Sequence, residues 1–179
     1  MNLWLRLLWL LGVRGWLRPR VGLLEPSVLA LRVWPGDLDL NGHMNNARYL
    51  AVMDLGRLDL LRRAGLLGTV LRRRWRPVLG AAAIRFRRPL APLARYALVT
   101  RVAGWDEKWF YLEQRFERGG DLCAAAWVQG LFAGPRGRVP TAEVLAAAGH
   151  RGASPALPEA ARILRGLGTD GNEARERAA

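Results

Sequence analysis

From Asn46 to Ala64 the chain carries the longest helical pattern in the sequence. Tyr49, Leu50, Met53, Leu58 and Leu61 recur at three- and four-residue spacing. Ala51, Val52, Leu55 and Leu60 widen that stripe until the helix is apolar most of the way round. A helix of this kind is buried on several sides, so the rest of the chain has to wrap it. Gly65 is the expected stop. Arg48, Asp54, Arg57, Asp59, Arg62 and Arg63 mark the remaining face. Asp54–Arg57, Asp59–Arg62 and Asp59–Arg63 read as surface pairs worth a few tenths of a kcal/mol each.

The wrapping element is legible as a sheet. Ser27 to Val33 alternates as a first strand. From Val78 onward, Ile84 and Phe86 alternate with Arg85 and Arg87, and Pro89 ends the run. Tyr96–Val102, Trp109–Glu117 and Leu122–Phe132 follow, the last of them expected to close the sheet. Gly104–Glu107 is a turn, and Gly119-Gly120-Asp121 is a hairpin signal. Short turns between successive strands imply antiparallel pairing. One long helix against such a sheet is an α+β architecture. At 179 residues a single domain is expected. Its parts are an apolar N-terminal helix and connector (1–26), a domain over 27–149, and a tail over 150–179. Thr141 is expected to cap a short helix, Ala142–Ala148, and His150 to be structural. A loose terminal helix near Glu159–Leu164 is expected to give way to disorder.

Immediately before the long helix the composition turns polar: Asp37-Leu38-Asp39-Leu40-Asn41-Gly42-His43-Met44-Asn45-Asn46. Asp, Asn and Gly favour turns and caps for backbone reasons alone. Asn45 or Asn46 is a candidate cap, Asp37 or Asp39 can close an Asx-turn, and His43 can be a satisfied loop residue. Yet Asp39, Asn41 and His43 at alternating positions are more than one helix end requires. They sit where unpaired backbone N–H groups and partial positive charge gather. That is a place to polarise a carbonyl with a base alongside.

The run DLDLNGHMNNARYL resembles the signature of hotdog-fold acyl thioesterases, the 4-hydroxybenzoyl-CoA thioesterase-like superfamily. Its D-x-N-x-H-x-N-N order is similar to that of plant acyl-carrier-protein thioesterases. A second block, Gly104-Trp105-Asp106-Glu107-Lys108-Trp109-Phe110-Tyr111-Leu112-Glu113, resembles the branch of thioesterase superfamily member 6 and its bacterial relatives. The resemblance covers roughly 27–149 and implies a hotdog fold, a curved antiparallel sheet around one central helix. It implies hydrolysis of an acyl-CoA or acyl-carrier-protein thioester, a role in fatty-acid metabolism, no cofactor, and a homodimer or higher homo-oligomer with the site at its interface. Asp39 is then the general base or nucleophile. His43 shares proton transfer or holds the attacking water, and Asn41 orients substrate or water. Backbone N–H groups around Asn45 and Asn46 polarise the carbonyl. Arg85 and Arg87 are further candidate substrate-binding residues. Asp37, two positions before Asp39, competes for the acid's role, and Asp39 is chosen because it matches the motif position. There is no GxSxG and no evident serine triad.

The formal net charge is +13, and Lys108 is the only lysine. Such charge suits nucleic acid, an anionic membrane or phosphorylated substrates. The arginines are scattered over every element and no nucleic-acid motif is present, so nucleic acid is not expected as a partner. Arg72-Arg73-Arg74-Trp75-Arg76 reads as a solvated loop, or as a landing site for phosphates. Cys123 is the single cysteine, and no Cys/His spacing suggests zinc. Residues 1–18 are apolar with arginines, and their longest apolar run is too short to span a bilayer. That helix packs on its own domain or partner, or lies at a membrane interface through Trp4, Trp9 and Trp16. A cytoplasmic location is expected, with peripheral contact at the inner face of the membrane as the alternative. The competing functional class is a non-catalytic acyl-CoA or lipid-binding, membrane-associated protein on the same fold.

Overall fold

A computed structural model of the chain describes residues 3–12 and 18–167. The elements are α1 (Leu3–Leu11), β1 (Ser27–Arg32), α2 (Asn46–Arg63), α3 (Leu67–Arg72), β2 (Arg76–Phe86), β3 (Arg95–Trp105), β4 (Phe110–Arg118), β5 (Asp121–Gly134), β6 (Gly137–Val139), α4 (Thr141–Ala147) and α5 (Glu159–Leu167). The strands pair antiparallel in the order β1-β3-β4-β5-β2, with β6 beside β5. This is the expected α+β arrangement, a curved sheet around α2.

Helix α2 is buried for the reason its composition dictates. Tyr49, Val52, Met53, Leu55 and Leu60 are almost solvent-free, packed against Leu29, Leu98, Phe116, Ala126 and their neighbours. The helix starts at the Asn45 cap and ends at Arg63, with Ala64 as C-cap before Gly65, whose φ of +74° suits glycine. Midway along it, Gly56 meets the sheet. A Cβ there would lie 2.5 Å from Thr100 Oγ1 and 2.9 Å from Gln114 Nε2. Gly56→Ala is therefore expected to cost about 1–3 kcal/mol by overpacking, read as a lower denaturation midpoint at unchanged slope. A midpoint equal to the parent's would show that the sheet yields there.

Several expectations need correction. The sheet continues beyond Phe132 into β6. Thr141 does not cap α4; Pro140 holds that position, and the Thr141 hydroxyl donates to Asp106 O at 2.6 Å. Helix α5 is not loose, because Ala161 and Leu164 are buried where it packs on β5 and β2. The disorder expected further on falls at 168–179, outside the described residues, as does Trp16.

Asp59 is not a surface residue either. It is fully buried and accepts from Ser27 Oγ at 2.5 Å, Arg18 Nη1 at 2.8 Å and Arg62 Nη2 at 3.3 Å. Arg63 reaches Ser27 Oγ and Pro19 O instead. A charged network thus ties the C-terminal half of α2 to the start of β1.

The block around Asp106 is structural. Its carboxylate accepts from Tyr111 Oη, Lys108 N–H and Trp109 N–H at 2.7–2.8 Å. Burial pushes that carboxyl up, but these bonds outweigh it and hold it below its ordinary value. A depressed folded value means that this contribution is present at neutral pH and lost as pH falls through it. His150 packs edge-on against Trp105, as a structural residue would.

Candidate active site

The polar run before α2 folds as a small closed loop. Leu38 and Met44 form an antiparallel bridge, and Asp39 N–H donates to His43 O at 2.9 Å. Inside it, Asp39 Oδ1 accepts from Asn41 N–H at 2.9 Å and His43 N–H at 3.4 Å. The Asx-turn open to either aspartate is therefore made by Asp39. The loop anchors to the domain through Met44 N–H to Leu90 O, just past β2, and Asn45 N–H to Asp37 O. Asn45 caps α2, its Oδ1 accepting from Ala47 N–H at 2.8 Å. Asp39, Asn41 and His43 thus share one loop that leads directly into the helix N-terminus. Asp39 and His43 are half-buried, and Asn41 and Asn46 are exposed.

The two aspartates part company here. Asp37 is buried, its Oδ2 taken by Arg6 of α1 and by Trp34 N–H, with Arg48 Nε at 3.9 Å from its other oxygen. A carboxylate so enclosed is a structural anchor. Asp39 carries only backbone donors from its own loop and stays within reach of solvent. Helix α1 packs on its own domain, through Arg6 and through Leu3 and Leu7.

Arg85 and Arg87 are exposed at the far end of β2. Neighbouring Phe86 turns inward onto Tyr49, 5.1 Å between ring centroids, so the alternating arginines face the other side of the sheet. They share the Asp39 loop's end of the sheet without lining the loop. Arg72, Arg73, Arg74 and Arg76 are exposed too, while Trp75 is buried against Phe132.

A second feature lies away from this loop. Between the C-terminal half of α2 and strands β2, β4 and β5 lies a cavity of about 400 Å³. Among the described residues Asp54 and Arg57 are the only charged ones on its wall, and Asp39 is not part of it. Arg57 pairs with Asp54 and donates from Nη1 to Gln114 Oε1 at 2.7 Å. Gln114, fully buried, is held by Met53 O and Thr100 Oγ1. Burial pushes the Arg57 guanidinium below its usual value. The helical stripe hinted at an apolar surface, but a void between two elements leaves no periodic trace in either. Among the described residues no cluster of His, Cys, Asp and Glu could hold a metal, and no helix is long and apolar enough to cross a membrane.

Protein THEM6 of Danio rerio is 44% identical over 98 residues, covering 55% of this chain and 48% of that protein. Thioesterase lcsJ of Purpureocillium lilacinum is 31% identical over 119 residues, covering 55% of this chain and 38% of that protein. The chain thus spans about half or less of the curated relatives it matches. A solved probable thioesterase from Bartonella henselae has a TM-score of 0.58 at 26% identity, covering 65% of this chain and 97% of that one. Residues 33–160 match the family model described as the thioesterase-like superfamily. With its helix wrapped by a curved antiparallel sheet, the chain belongs to that superfamily and has the hotdog fold.

Proposed function

We propose that the chain hydrolyses an acyl thioester of coenzyme A or of a carrier protein, with Asp39 as general base or nucleophile. The observation that carries this reading is the division of labour between the aspartates. Asp37 is consumed by Arg6 and Trp34 N–H, whereas Asp39 stands accessible in the loop that opens α2. His43 and Asn41 share that loop and supply proton transfer and orientation. The positive end of the α2 dipole, at Asn46, supplies the potential that an oxyanion needs, Asn45 N–H and Ala47 N–H being taken by Asp37 O and the Asn45 cap. The exposed arginines at the end of β2 suit the phosphates of the carrier arm.

The chain acts as a homodimer. Strand β2 is a sheet edge with Val78, Leu79 and Phe86 all more than two-fifths exposed, a surface that asks for a partner strand. Strand β2 runs antiparallel to α2. Its start, at Val78 and Leu79, lines the cavity beside the end of α2, and its end, at Phe86, touches Tyr49 near the start of α2. A two-fold axis crossing the middle of β2 therefore sets the cavity of one protomer beside the Asp39 loop of its partner. Asp54 is eight residues into α2, about 12 Å from its first residue, so within one protomer the loop and the cavity are far apart.

A thiol-release screen over acyl-coenzyme A and acyl-carrier-protein thioesters tests the activity. Release above the uncatalysed background is expected for at least one acyl group, and none across both carriers would overturn the reading. Binding without hydrolysis has its own motive, since Asp39 Oδ1 already accepts two N–H bonds within its loop. Saturable acyl-ligand binding with no thiol released would select that alternative.

A further inference from the structure

The cavity beside the second half of α2 constrains its occupant by chemistry. Among the described residues its wall is built of Leu, Val, Phe, Ala, Pro and Gly apart from Asp54 and Arg57. Phe110, Phe132, Val102 and Val144 on that wall are all buried members of one apolar cluster. None of these side chains can donate or accept a hydrogen bond to an occupant. The two charged residues are committed to each other, and Arg57 also to Gln114. A volume of about 400 Å³ is within the usual range for a small-ligand pocket.

We infer that this cavity is an acyl-chain site selecting straight, unsubstituted aliphatic chains and rejecting acyl groups that carry ring hydroxyls. The inference rests on the thioesterase reading for the identity of the ligand's head, and deepens it by naming the substrate class. A hydroxyl carried into the Phe110–Phe132 end would lose its water and find no side-chain partner there, a heavy penalty. A methylene chain loses nothing there and gains with each carbon buried. The paired Asp54 and Arg57 keep the polar carrier arm outside.

The test is binding of S-alkyl pantetheine thioethers, which cannot be hydrolysed and carry the arm that coenzyme A and carrier protein share. Measured by calorimetry on the full chain, affinity is expected to rise by about fourfold per methylene and then to level off once the cavity is full. A hydroxybenzyl thioether of similar carbon number is expected to bind at least about tenfold more weakly. Leu58→Trp and Leu131→Trp, each replacing a half-buried wall residue with a larger one, are expected to shorten the chain length at which affinity levels off. Asp39→Asn is expected to leave the whole series unchanged, so that loss of catalysis and loss of chain binding read separately. Affinity independent of chain length, or a hydroxybenzyl thioether bound as tightly as its alkyl counterpart, would overturn the inference on the parent protein alone. So would an unshifted chain-length profile in either tryptophan variant that melts as the parent does.

Discussion

Asp39→Asn protein is expected to release thiol about 10²–10⁴-fold more slowly than the parent, the range that a positioned acid or base contributes. The substitution is close to isosteric. The amide oxygen can still accept from Asn41 and His43 N–H, so the closed loop and the start of α2 should persist. KM and thermal stability are then expected to stay near the parent's, because what is removed acts in the transition state rather than in substrate binding. The measurement is steady-state thiol release on the best substrate from the screen, beside a melting curve. A kcat equal to the parent's would take Asp39 out of the chemistry.

The second large effect concerns folding. Asp59→Ala is expected to destabilise the chain by about 3–5 kcal/mol, the usual cost of removing one partner from a buried ion pair. In a chain of 179 residues that lowers Tm by at least about 6 °C. Asp59 is the hub for Ser27, Arg18 and Arg62, and through Ser27 for Arg63. Without its carboxylate, the bonds that Ser27, Arg18 and Arg62 aim at this solvent-free point lose their acceptor. Arg18 and Arg62 keep roughly a fifth of their side-chain surface in water, which moderates the loss. Thermal denaturation followed by circular dichroism reads the change, and a shift below about 2 °C, less than 1 kcal/mol for a chain of this size, would mean that the cluster contributes like an ordinary surface pair.

Asp59 also marks where the sequence stops being legible. Its spacing to Arg62 and Arg63 is that of an exposed helical pair, and local spacing is all that a helical pattern reports. Its burial comes from Ser27 and Arg18, about 30 and 40 residues away, and no periodicity encodes them. The same limit hid the role of Arg6, whose partner Asp37 lies 31 residues on. It also separated Thr141 from Asp106. What local chemistry decides was readable. The apolar wrap of α2, the Asn45 cap, the Gly65 stop and the hairpin at Gly119–Gly120, both at positive φ, all follow from residues within a few positions of one another. The motif placed Asp39, Asn41 and His43 on one loop, and they are there. The motif position favoured Asp39 over Asp37, but only coordinates tell a locked carboxylate from an accessible one. The cavity needed them too, because it is a property of two surfaces that fail to touch.

The proposed dependence of each site on both subunits is open to one direct measurement. A heterodimer is assembled from one Asp39→Asn subunit and one Leu58→Trp subunit, and assayed on a long straight-chain thioester that neither homodimer turns over. Completion across the two-fold axis leaves one intact site, formed by the Asp39 loop of the tryptophan subunit and the open cavity of its partner. About half of the parent's activity per dimer is then expected, one site of two. An inactive heterodimer, with both subunits folded and paired, would contradict the shared site and confine each carboxylate to the cavity of its own chain.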